Sequence, residues 1–159
     1  MNNCKFCKLD ESKVIFRGKN WALLFHKQDY LGRCILVTNR HVNNFSKLND
    51  DEVIDLRNML SALESELKDL YDCTMLNWSC NMNNTFSEDS PNPHVHIHIR
   101  PRYKNRVTIN EINYIDKEFG SHYDRNATIQ FDDKTINLIY EQIKNNFEKY
   151  YSVTLSDNK

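Results

Sequence analysis

Glycine and proline are scarce, with three of each in 159 residues, so no flexible or Pro-rich linker divides the chain. Turns must instead be made by Asn, Asp, Ser and Lys. No stretch approaches the roughly 18 consecutive apolar residues of a membrane helix, and the opening MNNCKFCKLDESK has no apolar signal core. This predicts a cytoplasmic protein with no membrane partner. Nor does one sign of charge prevail: 21 Lys and Arg face 22 Asp and Glu, for a net charge of -1. That balance argues against a whole-surface field for wrapping nucleic acid, and no nucleic-acid partner is expected. The five cysteines are odd in number and the chain is too long for a disulfide miniprotein, which favours reduced thiols and a metal role for the close pair. What is present is globular: 40% hydrophobic and 27% charged residues, in a length that suits one domain over residues 1–159.

Two short apolar runs, 13–17 and 20–26, flank Gly18-Lys19 and read as a hairpin, with RCILVT (33–38) as a third strand. From Asn49 the period changes. Val53, Leu56, Leu60, Leu63, Leu67 and Leu70 recur at spacings of three and four, the pattern of a helix with one apolar face. Asn49 as N-cap and Glu52 three residues on would form a capping box. Residues 73–80 and 94–100 read as two further strands, and 101–133 as irregular. A second amphipathic helix is expected over 134–151, with Ile136, Ile139, Tyr140, Ile143, Phe147 and Tyr150 inward and the last residues frayed. Strands, a long helix and more strands predict an α+β fold: an antiparallel sheet of about five strands, one long packed helix and a C-terminal helix.

The densest chemistry lies in HVHIHIR. His94, His96 and His98 alternate with Val95, Ile97 and Ile99, so in a strand the imidazoles share one face and the aliphatic side chains the other. Such a face suits either a three-imidazole zinc centre with an activated water or a nucleophilic histidine tuned by its neighbours. Cys4-Lys5-Phe6-Cys7 is a C-x-x-C knuckle, and His41 follows the third strand in TNRHV. Two thiolates and two imidazoles make a closed tetrahedral zinc site, so Cys4, Cys7, His41 and one strand histidine would suffice and His96 would remain free.

These features, together with Asn77-Trp78 and the Pro101-Arg102 that follows the histidines, resemble the histidine-triad superfamily of nucleotide hydrolases and transferases over most of the chain. The resemblance implies that His96 attacks the α-phosphorus of a nucleotide, that His98 binds phosphate oxygens or the leaving group, and that Cys4, Cys7, His41 and His94 hold a structural zinc ion. It also implies a homodimer, and leaves open a further divalent cation at the nucleotide. The substrate expected is a dinucleoside polyphosphate or a nucleoside phosphoramidate; a zinc-containing nucleotide-binding regulatory module and a three-histidine zinc hydrolase are the alternatives. The Gly-Gln-Ser/Thr segment usual before the triad is replaced by Asp89-Ser90-Pro91-Asn92-Pro93. Asn83, Asn84, Ser90 and Asn92 become the candidate phosphate donors, and Arg100, usually apolar in the family, a candidate phosphate clamp.

Other singular residues have plainer expectations. His26 reads as an exposed strand end, His122 as a surface-loop histidine, and Trp21 and Trp78 as core. Cys34, Cys73 and Cys80 read as small buried hydrophobes. Arg100, Arg102, Lys104 and Arg106 form a basic run of the solvated kind.

Overall fold

The computed structural model describes residues 4–86 and 92–157. Five strands form one antiparallel sheet: β1 (Val14–Arg17), β2 (Trp21–Phe25), β3 (Cys34–Thr38), β4 (Met75–Ser79) and β5 (His96–Arg102), in the order β1-β2-β3-β5-β4. β5 is therefore internal, paired with β3 through Ile35 and His98 and with β4 through Trp78 and Ile99. A helix, α1 (Asp50–Tyr71), connects β3 to β4. It starts at the expected capping box, where the Asn49 side chain accepts from the Glu52 amide and the Glu52 carboxylate from the Asn49 amide, both at 2.9 Å.

The buried stripe of α1 is rotated from the expected one. Leu56, Met59, Ala62, Leu63 and Leu67 are buried, whereas Val53 is 44% exposed. A second element explains the rotation. The C-terminal helix packs against α1 as well as the sheet, so α1 must bury a face wider than one leucine row. That helix runs Asp133–Asp157, past the expected fraying point. Its continuation is held by Tyr151, which donates to the Asp55 carboxylate, by Tyr150, which donates to Asp69 at 2.7 Å, and by buried Thr154.

The segment expected to be irregular contains more structure. β5 runs through Pro101 to Arg102, and Val107–Ile109 (β6) pairs with Ile112–Tyr114 (β7) in a small hairpin. Its turn uses Asn110 and Glu111, both at positive φ (47° and 66°), a conformation usually signalled by glycine and here carried without one. The basic run is also broken up. Arg102 is fully buried against Asp116, with Nε donating at 2.6 Å and Nη2 at 3.0 Å, while Lys104 and Arg106 are exposed. Trp78, expected in the core, is 52% exposed on β4, the edge strand of the sheet. Trp21, Cys34 and Cys73 are buried as expected, and Cys80 is half-buried.

Candidate functional site

The alternation of β2, β3 and β5 gives the sheet two different faces. Trp21, Leu23, Leu36, Ile97 and Ile99 point into the helix-covered core, while Ala22, Leu24, Ile35 and Val37 form a smaller apolar patch on the opposite face. Phe6 and Leu9 cover part of that patch. Beside it His96, His98 and Arg100 line a cavity of about 690 Å³, bordered at one end by Lys5, Phe6 and Lys8 and at the other by Tyr123 and Arg125.

At the knuckle end four donors converge. Cys4 Sγ lies 3.3 Å from His94 Nδ1, Cys7 Sγ lies 3.3 Å from His41 Nδ1 and 3.6 Å from His94 Nδ1, and all four donor atoms lie within 4.8 Å of one another. Zn–S and Zn–N bonds of about 2.3 and 2.0–2.1 Å at tetrahedral angles put sulfur and nitrogen roughly 3.5 Å apart, so the spacing fits a metal ion. The outer contacts agree. His94 Nε2 donates to Thr38 O at 2.8 Å, which fixes the tautomer that leaves Nδ1 bare for the ion. Among the described residues this is the only set of three or more such side chains able to hold a metal, and it takes a single histidine from the triad.

The central histidine is arranged differently. His96 Nδ1 lies 2.8 Å from the His94 carbonyl, which can only accept; Nδ1 therefore carries the proton and Nε2 keeps a lone pair on the cavity side. Phe6, carried by the knuckle, packs on the His96 ring with centroids 4.6 Å apart. Burial holds the His96 imidazole below its ordinary range, in the neutral form. His98 sits 4.9 Å from His96 between ring centroids, and burial pushes it down to about 4. Its Nδ1 is buried without a partner among the described residues.

The HIT domain matches residues 8–105, more than half of the chain. The chain belongs to the HIT-domain family. Cys4 and Cys7 lie just ahead of the matched HIT region, and β6, β7 and α3 (Asp133–Asp157) lie beyond it. Among solved structures, the chain is similar to a histidine triad protein from Bradyrhizobium japonicum (16% identity, TM-score 0.61, covering 85% of this chain and 91% of that one). It is also similar to a Zn-bound histidine triad family protein from Mycobacterium smegmatis (11%, 0.58, 93% and 98%). A third is the diadenosine triphosphate hydrolase of Plasmodium falciparum, solved with Cyclomarin A (20%, 0.55, 87% and 81%). At these identities the likeness shows a shared fold. No curated protein matches the chain by sequence.

Of the residues singled out in this HIT chain, His96, His98, Asn83 and Arg100 line one cavity. Asn83 and Asn84 belong to a single helical turn, α2 (Asn83–Phe86). Asn92 is half-buried and outside the cavity lining, and Ser90 lies outside the described residues. His122 is exposed, in a separate groove along β4. His26 differs from expectation: it is half-buried in the cavity wall, edge-on to His98 with ring centroids 6.4 Å apart, and burial drives it down to about 4.

Sequence reasoning missed Arg33 and Tyr123. Arg33 is buried in the cavity wall, its Nη1 donating to both Asp29 oxygens at 2.7 and 2.5 Å. Extending the β3 alternation back one step from Ile35 would have found it. Tyr123 comes from the segment before α3, brought to Arg100 by tertiary contacts that no local pattern announces.

Proposed function

We propose that this protein hydrolyses or transfers at the α-phosphate of a nucleotide conjugate through a covalent nucleotidyl-His96 intermediate. The observation that carries the reading is the pinned ring of His96: Nδ1 is committed to its own strand's carbonyl, and Nε2 faces a cavity instead of a metal ion. The Nε2 lone pair forms a bond to phosphorus as the bond from phosphorus to the leaving atom breaks, and that atom takes the bonding pair. Water then attacks the nucleotidyl-imidazole, the P–N bond pair returns to Nε2, and a nucleoside monophosphate is released with the proton passing to solvent. Little covalent chemistry beyond His96 is required, so the rate depends on positioning and on donors around the phosphoryl oxygens. Asn83 supplies such a donor on the cavity wall, Arg100 binds phosphate farther along β5, and His98 serves the oxygens or the leaving group. Ser90 and Asn92 are the remaining donor candidates.

Cys4, Cys7, His41 and His94 would hold zinc in this reading, the soft thiolates and imidazoles matching that ion. Its contribution is to fix the knuckle and, through it, Phe6 against His96. A reducing, cytoplasmic setting suits the five free cysteines. Among the described residues no helix is long and apolar enough to cross a membrane. A homodimer through the edge strand β4, where Trp78 is exposed, completes the proposal.

The test is acid quenching with a panel of labelled nucleotide conjugates, followed by detection of nucleotidyl-protein. His96→Ala should abolish the adduct and lower turnover at least about 10³-fold, as removal of a nucleophile does. Undiminished turnover in His96→Ala would reject the assignment. Binding of nucleotide with no adduct would favour the regulatory-module reading, which the missing Gly-Gln-Ser/Thr segment supports.

A further inference from the structure

Beyond His98 the cavity ends in two guanidinium groups placed side by side. β3 and β5 pair with Ile35 opposite His98 and Cys34 opposite Ile99, so one further step sets Arg33 next to Arg100, on the face that carries the histidines. Arg33 is preorganised. Its Nη1 is held by Asp29, its backbone carbonyl accepts from buried Gln28 at 3.0 Å, and the same Gln28 ties down His26 O at 2.7 Å and the Gly32 amide at 2.8 Å. Gly32 takes φ +73°, and a Cβ there would meet Leu67 at 3.0 Å, so the turn that delivers Arg33 is fixed by a residue that only glycine suits. Arg33 Nε is nevertheless buried with no partner among the described residues.

Arg100 is half-buried and has no carboxylate partner among the described residues; its guanidinium carbon rests 3.9 Å from the Tyr123 ring centroid. Tyr123 is stapled in place, because Arg102 Nη1 donates to Ser121 O at 2.9 Å and Tyr30 OH accepts from the Asp124 amide at 2.7 Å. This wall carries Arg33, Arg100 and Arg125 against Asp29 and Asp124, with Asp29 already committed to Arg33. Two neighbouring cations, one with an idle buried donor, are held there at an electrostatic cost that an anion would offset.

We propose that Arg33 and Arg100, backed by Tyr123, form a subsite for a phosphate carried by the leaving group. The preferred substrate is then a nucleotide joined through oxygen to a phosphorylated group, rather than to an uncharged amine. This rests on the reading of His96 as nucleophile and deepens it by naming the group displaced. Arg100 lies four residues from His96, about 13 Å along the strand, which places it beyond the reacting phosphorus on the side of His98. An apolar surface suited to a nucleobase lies at the other end instead, where Phe6 of the knuckle packs on His96. As His96 Nε2 bonds to the α-phosphorus, the bridging P–O bond breaks, its electron pair stays on the oxygen, and the phosphorylated group departs with its charge neutralised by the two guanidiniums. Planar guanidinium matches phosphate in a way a lone ammonium does not.

Two conjugates of one nucleotide provide the test: one whose leaving group is a phosphate monoester, and a phosphoramidate of an uncharged amine. In Arg100→Met the ratio of kcat/KM for the first over the second should fall about 10- to 100-fold. Tyr123→Leu should lower the same ratio less, and Arg33→Lys more than Tyr123→Leu. A wild-type preference for the amine conjugate, or equal losses on both substrates, would overturn the subsite. Titration calorimetry with inorganic pyrophosphate separates this from the chemistry. Weakening of about tenfold or more in Arg100→Met supports the subsite even if no nucleotidyl-histidine forms, whereas unchanged binding removes it even if the intermediate is trapped.

Discussion

On the helix side of the sheet Trp21, Leu23, Leu36, Ile97 and Ile99 are fully buried beneath α1 and α3, and the Trp21 indole donates to Glu52 O at 2.8 Å. On the opposite side His26 Nδ1, His98 Nδ1 and Arg33 Nε are all buried without a hydrogen-bond partner among the described residues, around an open cavity. The same strands make both faces, alternating residue by residue along β5. The helix side follows the rule of folding, in which apolar surface is removed from water and polar groups are paired. The cavity side departs from that rule by keeping buried donors and acceptors idle, a departure that candidate functional surfaces share. Only at its knuckle end does the cavity side become closed, where four donors converge and His94 is satisfied on both ring nitrogens.

That exception supplies the largest expected effect. If the cavity side is held mainly by the metal knuckle, stripping zinc from the loaded protein should cost about 5 kcal/mol, a fall in Tm of about 10–20 °C. The helical far-UV signal should survive at low temperature, because α1 and α3 pack on the other face. Calorimetry with verified metal content reads both quantities. An unchanged melting curve would show the two faces to be equally self-supporting.

How much of this was legible in the sequence follows the same division. The helix side was largely readable: strands β1 to β5, the Asn49 capping box and the apolar rows of both helices all rest on local periodicity. Its errors came from long-range packing, which buried Met59 and Ala62 in place of Val53 and prolonged α3 to Asp157. On the cavity side the alternating histidines and the C-x-x-C were readable because each is a short-range pattern with a chemical reason. Arg33 was overlooked although the β3 alternation reaches it, and His26 and Tyr123 were not readable, since their roles depend on segments far apart in the chain meeting over β5. The β6–β7 hairpin was missed because Asn110 and Glu111 make its turn without the glycine that would have flagged it.

A truncation on the helix side comes next in size. Leu63 of α1 is fully buried in the core cluster, so Leu63→Ala should cost about 3 kcal/mol by chemical denaturation, from lost burial plus the cavity left behind. Because the rigid sheet separates it from the site, the position of His96 should not change, and the fraction of protein forming the nucleotidyl adduct should stay as in the parent. Loss of the adduct in a folded Leu63→Ala protein would mean that the two faces are coupled.

The smallest effect distinguishes the faces by sign. On the helix side Glu66 is fully buried with neither carboxyl oxygen bonded among the described residues, and burial raises it to about 8. It holds a proton in the folded chain that it releases on unfolding, so its contribution to stability declines as pH rises from the ordinary carboxylate range toward 8. On the cavity side His26 and His98, held at about 4, take up protons only on unfolding, so their contribution declines as pH falls from about 6.5 toward 4. Between pH 7 and 5 the two trends oppose each other, and after allowance for solvent screening at the partly open histidines the net change should be about 1 kcal/mol, or 2–4 °C in Tm. Single variants should separate them. Glu66→Gln should expose the acid-side loss in full, and His98→Asn should reduce that loss while leaving the alkaline decline intact. If both variants flatten the same limb of the stability profile, the opposite charge preferences of the two faces are not what sets it.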